Sequence, residues 1–438
     1  MDNPKEIDRP ITGLARVLEA AARVLNQRGV SQTSLAELAD ELGISRAALY
    51  YYFDDQQHLV FLSYIRSCER MAENIAEAMR ASDNATTRIE AFIDLMLGDD
   101  IPECAALNEV AYLNPSQQTA VTKSFEKVRT AIADILKRGA AEQQLRSCRP
   151  GVVAASIIGL VSWLPTARRL PTSQVLSQED LLDAIKSMLR VGIAADRRAA
   201  VEYKIIELSA MSIPAGRVFD ADLMAAARKE AVGAAASWLF NLKGVDATSL
   251  EEIASRLGVT KKVIYHNVGD KETVVAECYR RSFRISEQVS AKMSAYEGLA
   301  VDAICASVHA YAEASLREDI APLAPLAGLE EAMPEMAKGE VYASTTRLSK
   351  AALKVYEKGR RDGSIRKVNP HAMMNVIPGS YEWLPKWVEM FSAREREAAP
   401  REVAELMRLG LMPIANSKSS RLPSLSRRAT RTTRGSKS

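Results

Sequence analysis

The sequence predicts an all-α protein made of two tandem copies of one unit, and three observations support this. Gly and Pro are sparse inside long segments where apolar residues recur at helical spacing. Ile89, Phe92, Ile93 and Met96 fall at i, i+3, i+4 and i+7, as do Val301, Ile304, Cys305 and Val308. Alternating strand patterns are hard to find. The chain also matches itself: from Gly29 to Asp55 against Gly244 to Asp270, an offset of 215, 11 of 27 positions are identical.

The self-match continues downstream. LKRGAAEQQLRSCRPG (from Leu136) resembles YEKGRRDGSIRKVNPH (from Tyr356) at an offset of 220. GLVSWLP (Gly159 to Pro165) resembles GSYEWLP (Gly379 to Pro385) at the same offset, and Gly192 and Gly410 end similar helices at an offset of 218. The repeat divides the chain into a first head (12–55), a first helical body (56–192), a linker (193–226), a second head (227–270), a second body (271–412) and a tail (413–438). The first half of the linker is expected to extend the last helix of the first body, with the break at Pro214-Ala215-Gly216.

In chain order, ARVLEAAARVLNQRG reads as an amphipathic helix ending at Gly29. Ser34-Leu-Ala-Glu37 is a capping-box pattern opening a short helix to Leu42, and Ser249-Leu-Glu-Glu252 repeats it. Gly43 and Gly258 then allow tight turns, and Ser45 and Thr260 stand where they cap the next helix, SRAALYYYF or TKKVIYHNV. A helix, a turn at Gly and a second short helix is helix-turn-helix spacing. Such a helix reads DNA only if it stands clear of the body and enters the major groove, about 12 Å wide. Leu38, Ala39, Leu42, Ile44 and Leu49 form the inner apolar face. The outer face carries Ser45, Arg46, Tyr50, Tyr51 and Tyr52, with Thr260, Lys261, Lys262, Tyr265, His266 and Asn267 as their counterparts. The closing helices, near 150–170 and 178–192, are expected to pack on 370–392 and 400–411 as a four-helix bundle, with Trp163, Trp383 and Trp387 in its core or interface.

Bulk properties narrow the function. The chain has 438 residues, 47% hydrophobic and 26% charged, with no apolar run near the roughly 20 residues a membrane span needs. Five scattered cysteines form no C-x-x-C pair, and the four histidines (His58, His266, His309, His371) form no i, i+4 pair, so no disulfide framework, metal or cofactor is expected. A cytoplasmic location with no membrane partner fits best. No P-loop, dinucleotide fingerprint, nucleophile elbow or zinc-protease motif is present, which argues against an enzyme. The net charge of +3 combines a body of −4 with seven basic residues and no acid from Asn416 to Ser438, so that tail reads as a sequence-independent phosphate grip or a solvated terminus.

The run TSLAELADELGISRAALYYYF (Thr33 to Phe53), followed by Leu59, resembles the DNA-binding domain of TetR-family transcriptional regulators. The likeness is strong over 13–60, clear over 228–275 and weaker through the bodies. The resemblance implies three-helix heads that bind double-stranded DNA and helical bodies that pair and bind a small apolar effector whose binding releases DNA. Effector entry would tilt the helix near 56–80 or 271–296. It further implies DNA contacts from Thr33, Ser45, Arg46, Ala47, Tyr50, Tyr51 and Tyr52 in the first head, and from Thr248, Thr260, Lys261, Lys262, Tyr265, His266, Asn267 and Lys271 in the second. The family's H-F-x-x-K ending is divided between the copies. The first has Tyr52-Phe53 but Gln56 for the Lys, which should remove a phosphate contact. The second has Lys271 but Asn267-Val268, which should loosen the packing of the recognition helix.

The expectation is thus a ligand-responsive repressor acting as an internal pseudo-dimer on an asymmetric operator, with further self-association left open. The alternative is a ligand-sensing or protein-interaction module in which one or both heads are inactive on DNA.

Overall fold

The computed structural model describes residues 13–30, 33–98, 101–167, 176–324 and 333–414. Among these residues there is no strand, only an isolated bridge between Ala194 and Ile365, so the chain is all-α as its periodicity requires. The first unit contains α1 (Gly13–Arg28), α2 (Leu35–Leu42), α3 (Arg46–Leu49), α4 (Gln56–Ala81), α5 (Ala85–Leu97), α6 (Pro115–Ala141), α7 (Pro150–Ala167) and α8 (Gln178–Val191). The second contains α9 (Ala221–Lys243), α10 (Leu250–Arg256), α11 (Lys261–Asn267), α12 (Lys271–Ser294), α13 (Ala300–Ser315), α14 (Glu335–Arg361), α15 (Pro370–Val376) and α16 (Ala393–Leu409). The basic segment 415–438 lies outside the described residues.

Both amphipathic patterns face the core: Ile89, Phe92, Ile93 and Met96, and Val301, Ile304, Cys305 and Val308, are all buried. Helix α7 (PGVVAASIIGLVSWLPTA) is apolar on every side, as befits a helix packed against its own body and against the other unit.

The two bodies join through reciprocal backbone bonds. Ile193 N–H donates to Met407 O (3.0 Å), and Leu411 N–H donates to Leu189 O (2.7 Å), the same bond with the units exchanged. Ala194 N–H to Arg408 O (3.0 Å) and Met412 N–H to Arg190 O (3.0 Å) form a second such pair. Arg146 Nε donates to Gly410 O (2.6 Å) and Arg366 Nε to Gly192 O (2.5 Å). Gly192 and Gly410 have φ of 66° and 63°, and a Cβ on either would overlap the main chain of the opposite unit. Trp163 Nε1 crosses the interface to Asn375 O (2.7 Å), and Gly379 lies against its ring.

Two expectations need correction. Residues 370–392 are not one helix: α15 stops at Val376, a 3₁₀ turn spans Ile377–Ser380, and turns and a second 3₁₀ segment lead to Phe391. Pro378 lacks an N–H and its ring clashes with the preceding turn, whereas the aligned position in the unbroken α7 is Ile158. The third partner in the interface is therefore a short helix followed by turns, packed on α7 and α8. The linker does not extend α8 either. Gly192 ends that helix at positive φ, and residues 197–208 cross the second body without helix or strand. Arg197 Nε donates to Leu409 O (2.7 Å), Tyr203 Oη meets His309 Nδ1 (3.0 Å), and Arg317 Nη1 donates to Leu208 O (2.9 Å). A 3₁₀ turn at Ala215–Arg217 precedes α9, which Asp220 caps.

Candidate DNA-binding heads

Each head is an α-helix followed by a helix-turn-helix: α1 with α2 and α3, and α9 with α10 and α11. Val17, Leu38, Leu42, Leu49, Phe53 and Leu59 form a core within the first head, while Ala22, Leu25 and Val30 of the same head join the core of its body. The second head's core, around Phe240, Ile253, Ile264 and Val274, is continuous with Ala337 and Val341 of α14. Each head is thus fastened to a body by apolar contacts, the first through Ala22, Leu25 and Val30 and the second through Ala337 and Val341.

Local chemistry is repeated in detail. Gly43 and Gly258 both take φ of 67°, making the turn between the two short helices. Arg28 pairs with Glu37, and Lys243 with Glu252 at 2.7 Å, joining the first helix to the second in each head. Ser249 and Glu252 form a complete capping box. At Ser34 the box is one-sided, because the hydroxyl accepts from Glu37 N–H (3.4 Å) while the Glu37 carboxylate turns to Arg28. Ser45 caps α3 by accepting from Ala48 N–H (3.2 Å), but Thr260 makes no side-chain cap bond.

The recognition segments differ. In the second head Lys261–Asn267 is regular helix. In the first, helix covers only Arg46–Leu49, and Tyr51 and Tyr52 N–H groups then bond three residues back, to Ala48 O and Leu49 O. This tighter winding accompanies the turning of Phe53 into the core, where it is 2% exposed; Val268, its counterpart, is half-buried.

Of the residues expected to face DNA, Ser45, Arg46, Ala47, Tyr50 and Tyr51 are exposed in the first head, Tyr51 at 87%. Thr260, Lys261, Lys262, Tyr265 and His266 are exposed in the second. Arg46 and Lys262 make no ion pair among the described residues. Lys261 does, with Glu251 (2.7 Å), and lies 5.5 Å from the Tyr265 ring centre; the Glu251 bond raises the Lys261 pKa and lowers that of Glu251. Five expected contacts are turned elsewhere. Thr33 and Thr248 are buried and donate to Gly29 O (2.6 Å) and Gly244 O (2.8 Å), fastening the loop after each first helix. Tyr52 packs over the start of α1, where its ring leaves room only for Gly13. Asn267 donates to Val263 O (2.7 Å) within its own helix. Lys271 reaches Asp246 O (3.4 Å) of the loop after α9, and Gln56 reaches Val30 O (2.8 Å) at the equivalent place. The Lys-to-Gln exchange thus keeps the loop contact and removes the charge.

Sequence reasoning missed the fastening of each head to its body. Asn26 Nδ2 donates to Cys104 O (2.9 Å) while its Oδ1 accepts from Ala106 N–H (2.8 Å). Asn241 does the same with Pro322 O (2.9 Å) and Ala324 N–H (2.8 Å). A polar residue repeated at offset 215 within an apolar helix face was the available signal. Among the described residues, no three potential metal ligands cluster and no helix is long and apolar enough to cross a membrane.

Parts of the chain are similar to known proteins. A model described as bacterial regulatory proteins, tetR family, matches twice, at residues 17–61 and 234–278. A tetracyclin repressor-like C-terminal domain matches residues 82–166. The transcriptional regulator TtgR of Pseudomonas putida is 26% identical over 167 residues, covering 34% of this chain and 79% of TtgR. The transcriptional activator FasR of Mycolicibacterium smegmatis is 26% identical over 160 residues, covering 35% of this chain and 73% of FasR. A solved structure of AibR with isovaleryl coenzyme A and operator DNA aligns to 40% of this chain and 96% of its own, at 21% identity and a TM-score of 0.34. With two heads of one type in a single polypeptide, each built on the same buried contacts, the chain belongs to the TetR family of transcriptional regulators as two units fused in tandem.

Proposed function

We propose that the chain is a ligand-responsive repressor whose two halves act as an internal pseudo-dimer on an asymmetric operator. The observation that carries this is the exposure of two chemically different recognition segments on bodies joined by reciprocal bonds. Arg46, Tyr50 and Tyr51 offer one guanidinium and two phenols; Lys261, Lys262, Tyr265 and His266 offer two ammonium groups, a phenol and an imidazole. A homodimer presents identical helices and favours palindromes, whereas two different helices favour two different half-sites. Covalent fusion also makes pairing of the halves independent of dilution. A small apolar effector in either body would act by shifting α4 or α12, the long helix that follows each head.

Selection of bound duplexes from a random pool tests the proposal. The expected product is two unlike half-sites about one helical turn apart, roughly 34–36 Å. A perfect palindrome, or enrichment of a single half-site, would contradict it.

A further inference from the structure

Residues Leu107 to Tyr112 of the first body lie where both heads meet the second body. Glu109 Oε2 accepts from Val30 N–H (2.7 Å), at the end of the first head's opening helix. On its other side Glu109 rests against Gly244, the end of the second head's opening helix: a Cβ there would stand 3.0 Å from Oε1. Helix α9 also packs on Val110–Tyr112. Gln57, in the first turn of α4, donates to Tyr112 O (2.9 Å). The second body holds the same stretch, through Lys386 Nζ to Asn108 Oδ1 (2.8 Å) and Trp387 Nε1 to Leu107 O (3.3 Å). The Glu109 backbone N–H donates to the Tyr64 hydroxyl of α4 (3.3 Å). Corresponding loops of the two heads, at Gly29–Val30 and at Gly244, thus converge on one carboxylate that belongs to neither. At the simple offset of 218 the second unit carries Ala327, so the arrangement has no twin in sequence.

We infer that Leu107–Tyr112 is a wedge that fixes the separation of the two heads, with Glu109 as its positioning residue. This rests on the DNA-binding reading above and adds to it a determinant of operator spacing. Because Lys386 and Trp387 hold the wedge from the second body, a rearrangement there moves the wedge against the first head as well. Burial raises the Glu109 pKa; the Val30 N–H opposes the rise, Asp246 adds to it and Lys386 opposes it, as expected of a carboxylate held in a closed junction.

Binding to the selected operator, and to the same operator with one, two or three base pairs inserted between half-sites, tests this by fluorescence anisotropy. Two inserted pairs rotate one half-site by about 70° and move it about 7 Å. The wild-type chain should lose at least about tenfold in affinity. Glu109→Ala should bind the parent operator more weakly and lose about threefold or less on insertion, since loosened heads adapt. Glu109→Gln keeps an acceptor for the Val30 N–H and should retain the wild-type spacing profile. Gln57→Ala releases the other end of the wedge from a half-buried position and should relax spacing in the same direction; it carries the test should Glu109→Ala fail to fold by circular dichroism. Wild-type spacing dependence in the folded alanine variants would overturn the wedge while leaving the DNA-binding reading intact. Absence of any wild-type operator would overturn both.

Discussion

Replacing Arg46 and Tyr50 together by Ala is expected to weaken operator binding by about a hundredfold or more while leaving helicity and thermal stability close to those of the wild type. Both side chains stand on the exposed face of the first recognition segment, and Arg46 makes no ion pair among the described residues that its loss would leave stranded. The inner face, with Leu38 and Leu49 at 0% exposure, is untouched, so the head keeps its core. A base-edge or charge-assisted contact contributes about 1–3 kcal/mol, so two lost together cost about 3 kcal/mol or more. Titration of a labelled operator, with circular dichroism as the control, measures this. Unchanged affinity would assign recognition to the second head alone, where Lys261, Lys262 and His266 are exposed.

The second large effect concerns the pairing of the bodies. Gly410→Ala is expected to destabilise the protein by about 3 kcal/mol or more. Part is backbone strain, since φ of 63° is unfavourable for an L side chain by about 1–3 kcal/mol. The rest is steric: the new Cβ would lie 2.5–2.6 Å from main-chain atoms of Arg190, Val191 and Gly192, which cannot move without breaking the reciprocal bonds. Gly43→Ala is the control. Its φ of 67° with ψ of 32° is the left-handed helical region, a milder strain than the φ of 63° with ψ of −158° at Gly410, and nothing lies within 4 Å of its Cβ, so it should cost only about 1–2 kcal/mol. Urea unfolding of both variants separates the contributions. Equal effects would show that the glycine crossing does not hold the two units together.

Much of this architecture was legible in the sequence because it rests on local rules. Periodicity marked the buried faces, the offset of 215 marked the second head, and Gly43 and Gly258 marked the turns. Departures arose where tertiary contacts override local preference. Tyr51 and Tyr52 continue a helical pattern, but the chain tightens at this point as Phe53 enters the core. Thr33 and Thr248 are polar and adjacent to the motif, but a carbonyl four residues back takes each hydroxyl inward. Pro378 was visible and its effect on the helix should have been expected. Glu109 lay beyond sequence reasoning, because the Val30 N–H it accepts from and the Gly244 it rests against are remote in the chain and have no side-chain signature.

The two heads are fastened to their bodies by different residues. In the first unit the head is tied to its body through Asn26, Glu109 and the buried Ala22, Leu25 and Val30; in the second the head shares its core with α14.

The central claim is that one polypeptide supplies both reading heads. Native mass spectrometry of the protein on its selected operator tests it most directly: the account predicts one 48.0 kDa chain per duplex carrying both half-sites, whereas two chains per duplex, each using one head, would contradict it.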